Sequence, residues 1–252
     1  MNPTLDLKEG EDGAPPLPTP VAAPRHEASR PPIHLGVFWT LIVGICAVVA
    51  GFSWLMHTHL QKRGARPEPL PHYHRLGEAL QAVERDGKAV STASLEGKVR
   101  VFACLYTVCP HGCAAVMGQM RKLHLEHGDR SDLQLVSMTV LPERDTPELL
   151  TAYAESMGAR ESASWWFLSG QQASLWGFMT RGLGMNAPEP IPPDERLNPL
   201  DLYQHDLRVV LVDRAGWVRG YYEVFHPQPE MAALFCERLE NDVRRLLEDR
   251  GL

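Results

Sequence analysis

Residues 99–113 read VRVFACLYTVCPHGC. The first eight, VRVFACLY (99–106), form an almost unbroken apolar run, the composition of a strand buried on both faces of a parallel sheet. The next seven place Cys109 and Cys113 four positions apart around Pro110. From Cys113 to His124, Val116, Met120 and Leu123 recur at helical spacing, so the stretch reads strand, cysteine turn, helix. Cysteines at i and i+4 of a helix start share a face, with Cα atoms about 6 Å apart. That separation permits a disulfide bond, and it equally permits two sulfurs on one metal ion. The N–H groups and dipole of a helix N-terminus favour thiolate over thiol, and Pro110 fits the first helical turn, where its missing N–H costs nothing.

Working outward, LQLVSMTV (133–140) reads as a second buried strand. Asp145 or Thr146 caps a helix with Pro147 in its first turn and Leu149, Leu150, Tyr153, Ala154 and Met157 at helical spacing. SWWFLSG (164–170) is a short strand, 171–182 a short helix, and Met185 to Leu202 a Pro-rich loop. LRVVLVD (207–213) and WVRGYYEV (217–224) flank Arg214-Ala215-Gly216 as an antiparallel hairpin. Residues 229–249 close the chain as an amphipathic helix with Met231, Phe235, Leu239, Val243 and Leu246 inward. The fold class is therefore α/β: a thioredoxin-like mixed sheet flanked by helices, spanning 75–252.

The N-terminal part has a different composition. Residues 1–32 are rich in Pro, Gly, Glu and Asp and read as a disordered tail. One transmembrane helix is expected over 33–56. Its charge-free core is LGVFWTLIVGICAVVAGFSWLM, Leu35 to Met56, long enough for a bilayer core of about 30 Å, with Trp39 and Trp54 toward its ends. The long Pro-rich lead and the uninterrupted apolar run favour an uncleaved span over a cleaved signal peptide. Residues 57–74 read as a polar linker. Arg25 and Arg30 precede the span while Lys62, Arg63, Arg66 and Arg75 follow it, so the charge count alone favours a cytoplasmic C-terminal domain.

A net charge of −6 without a basic stripe gives no footprint for nucleic acid. Five cysteines (Cys46, Cys104, Cys109, Cys113 and Cys236) are too few and too uneven for a disulfide-stapled scaffold. The pair Cys109/Cys113 lacks a second pair to complete a tetrahedral zinc site. Two thiolates with an imidazole from elsewhere suit copper. A thioredoxin-type redox motif has two residues between its cysteines, and this one has three.

LEGKVRVFACLYTVCPHGC (95–113), VSMTVLPERDTPELLTAYAESMGA (136–159), WWFLSG (165–170) and HDLRVVLVDRAGWVRGYY (205–222) occur in that order. Together they resemble the SCO/SenC family of membrane-anchored, thioredoxin-fold copper proteins. The resemblance implies a copper ion, Cu(I) or Cu(II), held by Cys109, Cys113 and His205. It implies a domain facing the periplasm from the inner membrane, or less readily the mitochondrial intermembrane space, with membrane attachment through 35–56. The implied partner is the copper A subunit of cytochrome c oxidase. In two respects the chain departs from the family: Leu141 stands where many members carry the first Asp of an Asp-Pro-Glu-Arg-Asp-Thr-Pro run, and the long loop 185–202 before His205 is idiosyncratic.

Other residues read as structural. His111 sits between the cysteines but is expected to point outward, and His57, His59, His72 and His74 fall in a solvated linker. Met117, Met120, Cys104, Cys236 and Trp165 read as core, with Trp166 at its rim. Glu143, Arg144 and Asp145 form a turn and helix cap, and Cys46 lies in the span. The leading reading is a metallochaperone. Its rivals are a thiol–disulfide oxidoreductase in which Cys109 and Cys113 reduce the client's cysteines, and a redox or copper sensor.

Overall fold

The computed structural model describes residues 34–64 and 69–249, which fall into two separate units, 1–67 and 68–252. The expected tail, 1–32, lies outside the described residues. In the first unit a single helix, α1 (Leu35–Gly64), carries the apolar run. Its stretch Leu35–His59 has the length and composition to cross a membrane. The helix continues past Met56 into the segment expected to be linker, because the residues after Met56 include no breaker before Gly64.

The second unit is built on a seven-stranded sheet. Its strands are β1 (Gln81–Glu84), β2 (Ala89–Ser91), β3 (Val99–Leu105), β4 (Leu133–Thr139), β5 (Trp165–Ser169), β8 (Val209–Val212) and β9 (Val218–Tyr222), in the spatial order β2-β1-β5-β4-β3-β8-β9. β3, β4 and β5 run parallel, in register from Val99↔Leu133 to Leu105↔Thr139 across the first pair. β1 and β8 are antiparallel to their neighbours β5 and β3, which makes the sheet mixed. The central strands are buried on both faces, as their unbroken apolar sequence requires.

The two faces follow the period of two along β3. Val99, Val101, Ala103 and Leu105 face one layer: α2 (Cys113–His127), α3 (Pro147–Ser156) and α5 (Pro229–Glu248). Phe102 and Cys104 face the other, made by α4 (Gln172–Gly177) and the π-helical turn Phe178–Gly182. Trp165 is fully buried and Trp166 half-buried; Met117 and Met120 are in the core. Thr146, not Asp145, is the N-cap of α3, accepting from the Leu149 amide, with Pro147 in the first turn.

Three segments differ from the sequence-based expectation. The hairpin β1–β2 was not anticipated. The end of the expected linker is part of the domain: Tyr73 N–H donates to the Val218 carbonyl and Leu76 N–H to that of Gly216. His72 and His74 therefore belong to the domain rather than to a linker, although His72 is exposed. His72 packs edge-on against Trp217, and His74 Nε2 donates to the Gly182 carbonyl at 3.0 Å. The third segment, the Pro-rich loop, folds back on itself: β6 (Glu189–Pro190) pairs antiparallel with β7 (Tyr203–Gln204), forming a short ribbon beside the cysteine turn. Pro190 is tolerated there because the ribbon is an edge with no further strand to serve.

Candidate metal centre

The site sits where β3 runs out of the sheet. After Leu105 the chain turns through Tyr106–Gly112 and enters α2 at Cys113, with Gly112 as N-cap. Pro110 therefore lies in the turn before the helix rather than in its first turn, and the two cysteines are related as loop to helix. Asp145, fully buried, fixes the start of the turn. It accepts from Thr107 Oγ1 at 2.5 Å and from Thr139 Oγ1, at the end of β4, at 2.6 Å. The Cys109 amide donates to the Tyr106 carbonyl at 3.0 Å and tightens the turn.

His205 arrives from the other side, directly after β7. Its Nδ1 lies 3.0 Å from the Asp206 carbonyl oxygen. A carbonyl only accepts, so Nδ1 carries the proton, and in the neutral ring Nε2 is left with its lone pair. That Nε2 lies 3.2 Å from Cys113 Sγ. Cys109 Sγ, Cys113 Sγ and a ring nitrogen of His205 all fall within 4.8 Å of one another. The Asp206 carboxylate secures the backbone here, accepting from the amides of Asn186 and Arg208 and from the Arg208 guanidinium.

The two thiols are shifted in opposite directions. Cys109 is pulled well below the ordinary thiol range, to about 3, foremost by a hydrogen bond from the Cys113 thiol. Partial burial opposes this, while the backbone N–H groups of Cys113 and His111 reinforce it. The Cys113 thiol is pushed up, because it donates to Cys109 and is buried. Cys109 opens onto a cleft of about 380 Å³ lined also by His111, Pro190, Ile191, Gln204 and His205.

Behind the cysteines the wall is apolar. Leu141 is buried and packs in one cluster with Tyr106 and Cys113, so the position is filled by hydrocarbon rather than by a carboxylate. The other candidates stay out of the cluster. His111 donates from Nε2 to Asp201 and is not part of the three-ligand cluster. Cys104 is buried next to Met185, and Cys236 is half-buried against the core. Glu143 and Arg144 form a turn. Asp201 and Asp206, both buried and both bonded to the site's frame, were not anticipated; nothing in NPLD or HDL marks them in sequence, because their partners are brought in by tertiary folding.

A family model described as SCO1/SenC matches residues 70–239. The chain belongs to the SCO1/SenC family. Among solved structures, it is similar to a SCO1/SenC family lipoprotein from Bacillus anthracis, with 25% identity and a TM-score of 0.57 over 70% of this chain and 97% of that one. It shares the fold of Bradyrhizobium japonicum ScoI, whose structure has copper bound, with 23% identity and a TM-score of 0.51 over 68% of this chain and 99% of that one. It shares it also with BsSco, described as a member of the Sco family of cytochrome c oxidase assembly proteins and as having a disulfide switch. There the identity is 23% and the TM-score 0.54, over 70% and 96% of the two chains. A Stutzerimonas stutzeri relative is 36% identical over 76 residues, 29% of this chain and 37% of that protein. The chain spans about two fifths of the length of the curated relatives it matches.

Proposed function

We propose that this SCO1/SenC member is a membrane-anchored copper carrier. It takes up one copper ion on Cys109 Sγ, Cys113 Sγ and His205 Nε2 and delivers it for assembly of the copper A centre of cytochrome c oxidase. The observation that carries the reading is the convergence of two sulfurs and one unprotonated imidazole nitrogen within 4.8 Å, from segments 92 residues apart. Soft thiolates with one imidazole suit copper in either oxidation state. With both cysteines as thiolates the site would carry −1 with Cu(I) and be neutral with Cu(II). Cys113 is buried while Cys109 borders the cleft, so an incoming ligand from a client meets Cys109 and His205 first. The copper-bound structure of ScoI and the oxidase-assembly role stated for BsSco's family support the cargo and the client.

In this reading α1 is the anchor and the domain faces the periplasm from the inner membrane, where the oxidase's copper A subunit would present its ligands. The family supports that side; the Lys/Arg count opposes it, and charge bias is weak against a large translocated domain.

A second reading is supported by the low-lying Cys109 thiolate. Its sulfur would attack a client disulfide, forming a mixed disulfide and releasing one client thiolate. Cys113 would then lose its proton and attack Cys109 Sγ, forming the intramolecular disulfide and releasing the second client thiolate, two electrons having passed to the client. Copper titration of reduced 68–252 separates the two. The carrier reading expects one tight equivalent, thiolate-to-Cu(II) absorption lost in Cys109→Ser, and binding weakened in His205→Ala. Absence of a tight site, with a readily reduced Cys109–Cys113 disulfide, would replace the carrier with the reductase.

A further inference from the structure

His111 stands between the two cysteines in sequence, yet it is no member of the three-ligand cluster. Its Nε2 lies 3.0 and 3.1 Å from the two carboxylate oxygens of Asp201. A carboxylate only accepts, so His111 is the donor. Asp201 is completely buried, whereas the His111 side chain is 38% exposed. The same carboxylate accepts from the Leu197 amide at 3.1 Å. A second link runs parallel to the first: Tyr106 Oη donates to the Leu200 carbonyl and accepts from the Leu202 amide. The cysteine turn is thus fastened at both ends to 197–202, the segment that leads through β7 directly into His205.

Burying a carboxylate is costly unless it is fully hydrogen-bonded, and a hydrophobic residue would fill the same space without that cost. A polar pair kept in such a place specifies position. Here the position it specifies is the span between the sulfurs of one segment and the imidazole of another.

We propose that His111 and Asp201 form a clamp that holds His205 at the two cysteines and thereby sets which oxidation state of copper the site favours. The inference rests on the copper reading above. Cu(I) is soft and is well satisfied by two thiolates; Cu(II) is harder and depends more on the imidazole nitrogen. Loosening 197–205 therefore withdraws the ligand that Cu(II) needs and Cu(I) can do without. His111 and Asp201 are positioning residues: neither has an atom in the three-ligand cluster.

The test uses the full chain in detergent micelles, with His111→Ala, Asp201→Asn and the double variant. Cu(I) and Cu(II) affinities are measured by competition with chromophoric chelators, and amide hydrogen exchange over 197–205 is followed in the metal-free protein. The clamp predicts that His111→Ala weakens Cu(II) binding by about tenfold or more and Cu(I) binding by less than about threefold. The stoichiometry and the thiolate-to-Cu(II) absorption are retained, and exchange over 197–205 quickens. Asp201→Asn, which keeps shape and can still accept, shows the same pattern more weakly, and provides the test if His111→Ala does not fold. The double variant loses no more than His111→Ala alone. Equal loss of both oxidation states, or unchanged Cu(II) affinity, overturns the selectivity; unchanged exchange overturns the clamp itself. Loss of an equivalent of metal in His111→Ala would make His111 a ligand and overturn the proposal. A wild-type chain that binds no copper would instead remove the copper reading and the selectivity built on it, while the exchange data still judge the clamp.

Discussion

Asp145 is the residue whose removal measures how the cysteine turn is held. Replacing it with alanine takes the acceptor from Thr107 Oγ1 at 2.5 Å and Thr139 Oγ1 at 2.6 Å, both at a side chain with no solvent exposure. The Thr107 amide, at 3.4 Å, is too distant to count for much. Hydrogen bonds to a charged acceptor contribute about 1.5–3 kcal/mol each, giving about 3–6 kcal/mol for the two. Two effects reduce this. Removing the carboxylate also removes its own desolvation cost, and the Thr139 hydroxyl keeps the Leu141 amide as a donor at 3.0 Å. The expected loss is about 2–4 kcal/mol, a large share of the 5–15 kcal/mol usual for a domain. With a urea slope of about 2 kcal/mol/M the midpoint falls by about 1–2 M. Urea unfolding of 68–252 followed by circular dichroism measures it, with Asp145→Asn, which retains one acceptor oxygen, falling between the two. The same substitution in a Thr107→Val/Thr139→Val background should cost almost nothing or stabilise, since the carboxylate is there buried without partners. A full loss in that background would refute the assignment of the energy to these two bonds.

The opposite shifts of the two cysteines predict selective alkylation: at pH 6 iodoacetamide labels Cys109 in the reduced domain and spares Cys113, and peptide mass spectrometry showing Cys113 labelled first would reverse the assignment. Leu141→Asp should lower stability by about 2–5 kcal/mol, because a buried side chain packed on Tyr106 and Cys113 is exchanged for a carboxyl without a partner; an unchanged urea midpoint would mean the pocket can solvate it. Asp132 is held at about 2, foremost by Arg130 and then by Arg214, so its contribution to stability is present above the ordinary value of 3.8 and is lost as pH falls toward 2. Since its side chain is one-third exposed, Asp132→Asn should cost less than about 1 kcal/mol at pH 7, and melting at pH 7, 4 and 2 should find the difference shrinking and then gone.

The parts of the fold that could be read from sequence are those in which burial is written into a short window. β3, β4 and β5 are apolar on both faces and need no neighbour to be recognised. α3 begins at Thr146-Pro147, a cap and first turn that are local chemistry. By contrast, β1 is four residues long, and the strand's last residue, Glu84, forms a buried ion pair with Arg85. That charge pair breaks the apolar pattern that would have announced a strand. The segment 70–76 joins the domain largely through backbone hydrogen bonds to the 216–218 stretch, and backbone bonding leaves no trace in residue type. The misplacement of Pro110 has a local cause too: Gly112 ends the turn and lets the helix begin at Cys113, so proline's preference for a helical first turn was outweighed by the tight bend at 106–109.

The site divides along the same line. The pairing of Cys109 with Cys113 is a four-residue event and is visible in any window that contains it. The third member, His205, has no local mark: a lone histidine before an apolar strand is commonplace, and only resemblance pointed to it. What makes it a candidate ligand is tertiary. The Pro-rich segment pairs with itself as β6 and β7, Asp201 and Tyr106 tie that ribbon to the cysteine turn, and the Asp206 carbonyl fixes the tautomer that leaves Nε2 free. Each of these bonds joins residues whose separation in sequence has nothing to do with their types, except the last, which is between neighbours and depends on a ring orientation that the ribbon imposes. A two-sulfur motif thus states what chemistry is available, and the geometry built from distant buried carboxylates determines whether nitrogen joins it. For this chain that second decision rests with Asp201 and Asp206, residues that touch neither sulfur.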